Sequence, residues 1–417
     1  MSGWVAPPRS PAALQAYAAA EHDRGLAPQK YRLGADAVQS VVDRACRGAD
    51  STVLGPAAAW RPGLVEYLGS AAEDGRLNAL GALTVQNTAV GRLVARWRIA
   101  EYLRSHPDVE RRPVGPPIVI IGGWRTGTTY LFRLLAQDPR LRAPLPAELG
   151  LPWKLPGELA PEVREQRIQA AAAANQMLHI LNPTMAAVHD SGPQMAEECV
   201  LGMGTTLCNW GFTATTRLNG YARWLARQDL SEEYRQHRRM LQILDGCDGR
   251  RWVLKAPAHT AELDHLIATY PGACIVQLHR DVVPTVASGA SLFATYRSTY
   301  SDEVDGADVG RTQLDQTELW LRRALGVRES DAAQRVTWVD VQYTDLVSRP
   351  EQTLHRIYAG AEMDSPDVAA MLDRNEVVHS RDAHGKHRYS AAEFGLDPGE
   401  VRERLRFYTN AFEVPAG

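Results

Sequence analysis

Ile118-Val119-Ile120-Ile121-Gly122-Gly123-Trp124-Arg125-Thr126-Gly127-Thr128-Thr129-Tyr130-Leu131-Phe132-Arg133-Leu134-Leu135-Ala136-Gln137 is the stretch on which the fold of this chain turns. Four successive β-branched residues, Ile118 to Ile121, suit a buried strand. Leu131, Leu134 and Leu135 recur at helical spacing. Between strand and helix lies a turn with Gly122 and Gly127 five residues apart, followed by Thr128 and Thr129. In the phosphate-binding pattern G-x-x-x-x-G-K-[ST], such glycines let backbone N–H groups turn toward an anion, and the following helix adds its positive N-terminus. Thr128 stands where that motif has lysine, and Arg125 is the cation of the loop. A nucleotide triphosphatase needs the lysine on its β- and γ-phosphates and a hydroxyl on Mg²⁺. The stretch therefore predicts an anion site without ordinary ATP or GTP chemistry.

Working toward the C-terminus, three more short apolar runs end in residues that carry chemistry. Trp252–Lys255 runs into Ala256-Pro257-Ala258-His259, Ala273–His279 ends at Arg280-Asp281, and Val336–Val341 ends before Tyr343. Each is followed by a helical pattern, at 260–269, 283–295 and 350–361. Further helical patterns lie at 161–181, 194–210 and 231–246, and the acidic 301–312 reads as a mobile loop. Short apolar strands alternating with helices predict an α/β three-layer fold with a central, mainly parallel sheet. Ligands of such folds sit beyond the carboxyl ends of the strands. Three of the four predicted strand ends present cations: Arg125, Lys255 with His259 close by, and Arg280.

Toward the N-terminus there is no strand-like run. Segments 11–22, 35–47, 61–75 and 85–105 carry Ala, Leu and Arg at helical spacing, and prolines at 107, 113, 116 and 117 with Gly115 suggest a boundary. The expected organisation is a helical region over 1–115 and a P-loop-like domain over 116–417. A length of 417 residues suits one large domain with appendages, or two domains. A net charge of -3 gives no global attraction for nucleic acid or an anionic membrane, so any polyanion site must be local. Only Lys30, Lys154, Lys255 and Lys386 are lysines among 46 basic residues, an arginine bias typical of GC-rich bacterial genes. The five cysteines show no C-x-x-C spacing, so free thiols are expected and no zinc site or disulfide framework. The N-terminus has no signal-like pattern and no apolar run is long enough to span a bilayer, so a cytoplasmic protein is expected.

In combination these motifs resemble those of the sulfotransferases that use 3′-phosphoadenosine 5′-phosphosulfate (PAPS), particularly bacterial members with a long helical N-terminal region. The resemblance covers residues 110–410. Trp124-Arg125-Thr126-Gly127-Thr128-Thr129 is similar to the family's Pro-Lys/Arg-Ser-Gly-Thr-Thr, with Trp124 for proline and Thr126 for serine. It implies that Arg125, Thr126, Gly127, Thr128 and Thr129 hold the 5′-phosphosulfate. Arg125 would stabilise charge on the bridging oxygen, an effect of about 3–4 kcal/mol for a preorganised donor. Arg280 and Ser288, eight residues on, match the family's 3′-phosphate site. Tyr343, in Gln342-Tyr343-Thr344-Asp345-Leu346, matches the tyrosine beside the adenine, although Thr344 replaces the usual glutamate. Lys386, His387 and Arg388 correspond to a late basic loop over the 3′-phosphate.

The resemblance further implies transfer of a sulfuryl group to a hydroxyl, or less commonly an amine, of a small molecule, with adenosine 3′,5′-bisphosphate as product and no metal. Two bases are open. His259 resembles the histidine of the family's Lys-Thr-His-Leu-Pro segment, with Lys255 ahead of it to touch the sulfuryl oxygens, and an ordinary imidazole suits the task near neutrality. Glu148, in Pro146-Ala147-Glu148-Leu149, matches the acidic base of other branches. Glu197 and Glu198 either line the acceptor pocket or serve a helix start. Trp153, Met177, Met185, Met195, Trp210 and Phe212 form either an apolar pocket lining or core. A homodimer is compatible with this reading. The competing readings are a nucleotide-dependent phosphotransferase and a non-catalytic nucleotide-binding protein of the same fold.

Overall fold

A computed structural model describes residues 3–188, 191–378 and 389–416. Five strands form one sheet: β1 (Ile118–Gly122), β2 (Leu141–Arg142), β3 (Arg251–Lys255), β4 (Cys274–His279) and β5 (Thr337–Gln342). Their order is β2-β3-β1-β4-β5, and every pairing is parallel. β1 is central and buried at every residue, with Ile118 in register with Val253 on one side and Cys274 on the other. A strand covered on both faces needs apolar residues at consecutive positions, which is the Ile-Val-Ile-Ile run.

Alternate residues of the run serve two cores. Ile118 and Ile120 pack with Leu131, Leu134 and Leu135 of the helix after the loop and with Leu354 and Ile357 of a later helix. Val119 and Ile121 join a core that also holds Val41, Leu64, Leu68 and Leu93. Those four belong to the N-terminal helices α2 (Ala35–Cys46), α3 (Arg61–Asp74) and α4 (Ala79–Ser105), which follow α1 (Pro11–Leu26). The N-terminal helices thus help form the layer that covers one face of the sheet. Contact is close: a Cβ at Gly63 would lie 2.6 Å from the Thr206 carbonyl oxygen.

The site is framed by α5 (Thr128–Leu135), α6 (Pro146–Gly150), α7 (Ser231–Leu244), α8 (Leu263–Thr269), α9 (Val282–Tyr300) and α10 (Gly306–Arg328). Two sequence expectations fail. The apolar 194–210 is not a helix; it is irregular with one 3₁₀ turn at Cys199–Leu201. Gly204 and Leu207 take positive φ (97° and 60°), and the buried Glu233 of α7 accepts from the backbone N–H groups of Gly204, Thr205 and Thr206 at 2.5, 3.3 and 2.9 Å. A carboxylate thus replaces the helix's own carbonyls as partner of these amides. The acidic 301–312 is not a loop throughout, because Asp305 caps α10 through the N–H groups of Ala307 and Asp308, and Asp308 pairs with Arg217 at 2.6 Å.

Candidate active site

At the end of β1 the chain reverses through a turn closed by Thr126 Oγ1, which donates to the Gly123 carbonyl at 2.7 Å. Arg125 and Gly127 both have positive φ, 58° and 94°. Arg125 is exposed. α5 starts at Thr128 with no side-chain cap and no acidic residue in its first turn, which leaves its positive end for an outside anion. Trp124, which departs from the proline of related loops, is a wedge: it lies across Gly289 of α9 and meets Phe293 and Trp320 at ring separations of 5.2 and 5.9 Å. The loop is thereby fixed to the helix that carries Ser288, which is buried.

Cations gather at this edge of the sheet. Lys255, the last residue of β3, is buried; its Nζ donates to Thr129 Oγ1 at 3.1 Å and pairs with Glu198. Arg280 follows β4, donates from Nη1 to the Arg125 carbonyl at 2.6 Å and lies 4.2 Å above the Tyr343 ring. Among the described residues no carboxylate pairs with Arg125 or Arg280. Asp281, next in sequence to Arg280, instead takes Arg402 through both oxygens at 2.8 Å and caps α9 at the Val283 N–H. Two guanidiniums without acidic partners suit an anionic ligand. Arg125, Thr129, Lys255, Arg280 and Tyr343 are thus brought together; Lys386, His387 and Arg388 lie outside the described residues.

Both sequence candidates for the base are enclosed. His259 lies in the 3₁₀ turn Pro257–Ala261, only 1% exposed, with Nδ1 at 2.8 Å from the Tyr234 hydroxyl. Burial, with His237 adding to it, pushes its imidazole down to about 3, so the ring is neutral but a weak base. Burial likewise holds His237 at about 4. Glu148, on α6, is 3% exposed, and both oxygens are occupied: Oε1 by Arg142 at 3.2 Å and by Arg164, Oε2 by the Leu145 N–H at 2.9 Å. Glu198 is different. It precedes the Cys199 turn in extended conformation, its side chain is 17% exposed, and through Lys255 it is joined to Thr129 of the loop. Its position 57 residues from Lys255 left no spacing signal. Of the apolar candidates, Met185, Trp210 and Phe212 are buried, Trp210 donating to Glu262 at 2.9 Å and Phe212 lying 4.7 Å from the Tyr67 ring at a tilt of 42°; Trp153 and Met195 are half-buried, and the Met177 side chain is not among those described.

A parallel sheet whose central strand opens into a capless, cation-flanked loop defines a P-loop-like anion-binding α/β fold. The chain belongs to the sulfotransferase family, which matches residues 116–367. The omega-hydroxy-beta-dihydromenaquinone-9 sulfotransferases Stf3 of Mycobacterium bovis and Mycobacterium tuberculosis are each 26% identical to it over 271 residues, 58% of this chain and 62% of theirs. The chain therefore spans about three-fifths of the length of these curated relatives. The crystal structure of sulfotransferase STF1 from Mycobacterium tuberculosis H37Rv superposes with a TM-score of 0.76 and 30% identity, covering 90% of this chain and 99% of that one. That of STF9 from Mycobacterium avium has a TM-score of 0.77 at 23% identity, covering 92% and 98%, a likeness of fold. Among the described residues, no helix is long and apolar enough to cross a membrane.

Proposed function

We propose that the chain transfers a sulfuryl group from PAPS to a hydroxyl of a small-molecule acceptor. The observation that carries this reading is the buried Lys255 ammonium, held between Thr129 of the loop and the Glu198 carboxylate, at the edge where, among the described residues, no carboxylate pairs with Arg125 or Arg280. The donor set suits a nucleotide with two separate anionic groups. Thr126 to Thr129 and the start of α5 would hold the 5′-phosphosulfate, Arg280 with Ser288 the 3′-phosphate, and Tyr343 the adenine. When bound, PAPS supplies the sulfuryl group and a phosphate leaving group. Arg125 and Lys255 offset the negative charge at that end of the site, Lys255 already held in place by Thr129 and Glu198.

Glu198 is the base this geometry favours over His259 and Glu148. It is the carboxylate already in contact with a loop-bound cation, whereas His259 is sealed in a core and Glu148 is locked by two arginines. Its role is to orient the acceptor hydroxyl and take its proton. The Stf3 relatives are named for an ω-hydroxylated dihydromenaquinone, so a hydroxyl on an apolar carrier is the first acceptor to try.

Calorimetric titration with adenosine 3′,5′-bisphosphate and, separately, with ATP and Mg²⁺ tests the donor. Tight binding of the bisphosphate is expected. Binding of ATP–Mg²⁺ alone would instead favour a phosphotransferase, and bisphosphate binding with no gain of a sulfuryl group by mass spectrometry on hydroxylated acceptors would favour a non-catalytic nucleotide-binding protein.

A further inference from the structure

Cys199, His237 and His259 come from three separate segments, the 3₁₀ turn after Glu198, α7 and the turn after β3. Each is at most 2% exposed, and one ligand-type atom from each lies within 4.8 Å of the other two. The imidazole rings meet edge to face, with centroids 5.9 Å apart and planes at 71°. Each ring is already held by one nitrogen: His237 Nδ1 lies 2.7 Å from the Tyr270 hydroxyl and His259 Nδ1 2.8 Å from that of Tyr234. Nε2 of both rings is buried and has no hydrogen-bond partner. Buried polar atoms in folded proteins are nearly always paired. Two unpaired nitrogens, on rings from different elements that cluster with one thiol, point to a shared missing partner.

We propose that Cys199 Sγ, His237 Nε2 and His259 Nε2 form a binding site for a divalent metal, zinc by its chemistry. Thiolate and neutral imidazole are both zinc ligands; copper uses the same pair of imidazoles with one thiolate, but with a weak axial fourth ligand such as methionine, and zinc is the choice where the fourth position falls to water. Ligating histidines donate their far N–H to an acceptor that holds the ring's orientation, and each tyrosine oxygen is placed to be that acceptor. With each Nδ1–H donating to its tyrosine oxygen, each Nε2 presents a lone pair. On binding, the Cys199 thiol releases its proton to solvent, and the zinc ion with its thiolate and two imidazoles carries a net single positive charge. Tetrahedral zinc ligands stand roughly 3.4–3.6 Å apart given Zn–N and Zn–S bonds of about 2.0–2.3 Å. Side-chain rotation closes the remaining gap, and a water takes the fourth position. With its ligands closed off from solvent, the ion acts as a crosslink. It ties the segment that bears Glu198 to the turn that follows Lys255.

Metal analysis of the purified wild-type chain, prepared without metal-affinity steps, is expected to give about one zinc per chain that survives gel filtration. Exchange into cobalt is expected to give the strong visible bands of a four-coordinate ion and a near-ultraviolet thiolate charge-transfer band. Cys199→Ser should abolish the charge-transfer band and His237→Gln should lower the stoichiometry, while Cys247→Ser, at an exposed thiol, should change neither. A chelator should lower the melting temperature of the wild type. If the wild type carries no metal, takes up no cobalt and melts identically with chelator, a buried water bridges the imidazoles and the proposal is overturned. A cobalt spectrum without the thiolate band would overturn Cys199 as ligand. Should the variants fail to fold, the wild-type stoichiometry, spectrum and melting decide.

Discussion

Arg280 has a carbonyl and an aromatic ring for neighbours where many arginines of this chain, such as Arg328 and Arg402, have a carboxylate. A guanidinium so placed is positioned to receive charge from outside the protein. Arg280→Ala is expected to weaken adenosine 3′,5′-bisphosphate about 10–100-fold, the loss of one charge-assisted pair, with little change in melting temperature. Glu198→Gln should do the reverse, leaving bisphosphate affinity within a few-fold and lowering turnover about 10²–10⁴-fold. Retained turnover in Glu198→Gln would return the role of base to His259 or Glu148. Legibility at this scale follows sequence separation. Arg125, Thr126 and Gly127 are neighbours in the chain, and Arg280 and Tyr343 close their own strands, so local pattern exposed them. The Lys255–Glu198 pair and the Cys199–His237–His259 cluster are joined only by the fold. No spacing rule encodes them, and a cysteine count that argued against a zinc site weighed only neighbours in sequence.

The loop works as an element because its backbone is held in a shape that only some residues accept. At Gly127 φ is 94°, and an added Cβ would lie 2.7 Å from Leu346 Cδ2. Gly127→Ala therefore combines a left-handed strain of about 1–2 kcal/mol with a steric clash at the start of α5. The expected outcome is a loss of roughly 2–3 kcal/mol in denaturant unfolding, together with a bisphosphate affinity reduced more than the stability alone explains, since the helix N-terminus moves with the residue. An unchanged affinity would mean that the anion does not rest on this turn. Strands and long helices were legible at the same scale, the buried strands as continuous apolar runs and the helices by a 3.6-residue period over several turns. The 194–210 segment misled because its apolar spacing is helical while its geometry is set by Glu233, a partner on another helix. The two-residue β2 is too short to carry any period.

Across the whole molecule, the division read at residue 115 meets a core that ignores it. Val119 and Ile121 of β1 share one apolar cluster with Val41 of α2, Leu64 and Leu68 of α3 and Val85 and Leu93 of α4. None of these five N-terminal side chains is more than 1% exposed. Stripping a covering aliphatic side chain from a core removes about 1.5–3 kcal/mol each. Five of them together rival the about 5–15 kcal/mol by which a domain is usually stable. The N-terminal region is also tied across the boundary, as Asn78 donates its backbone N–H to the Tyr300 carbonyl at 3.0 Å and the Tyr17 hydroxyl donates to that of Thr299 at 2.7 Å. Tyr300 and Thr299 end α9, the helix that holds Ser288 and anchors Trp124, so the N-terminal helices are tied to the helix the loop packs on as well as to the sheet. Residues 116–417 expressed alone are therefore expected to lack a cooperative thermal transition and near-ultraviolet circular dichroism, and to bind no bisphosphate, while adding residues 1–115 as a separate chain restores some of each. A cooperative melt and wild-type bisphosphate affinity in 116–417 alone would show that the N-terminal helices cover a face the sheet does not need covered.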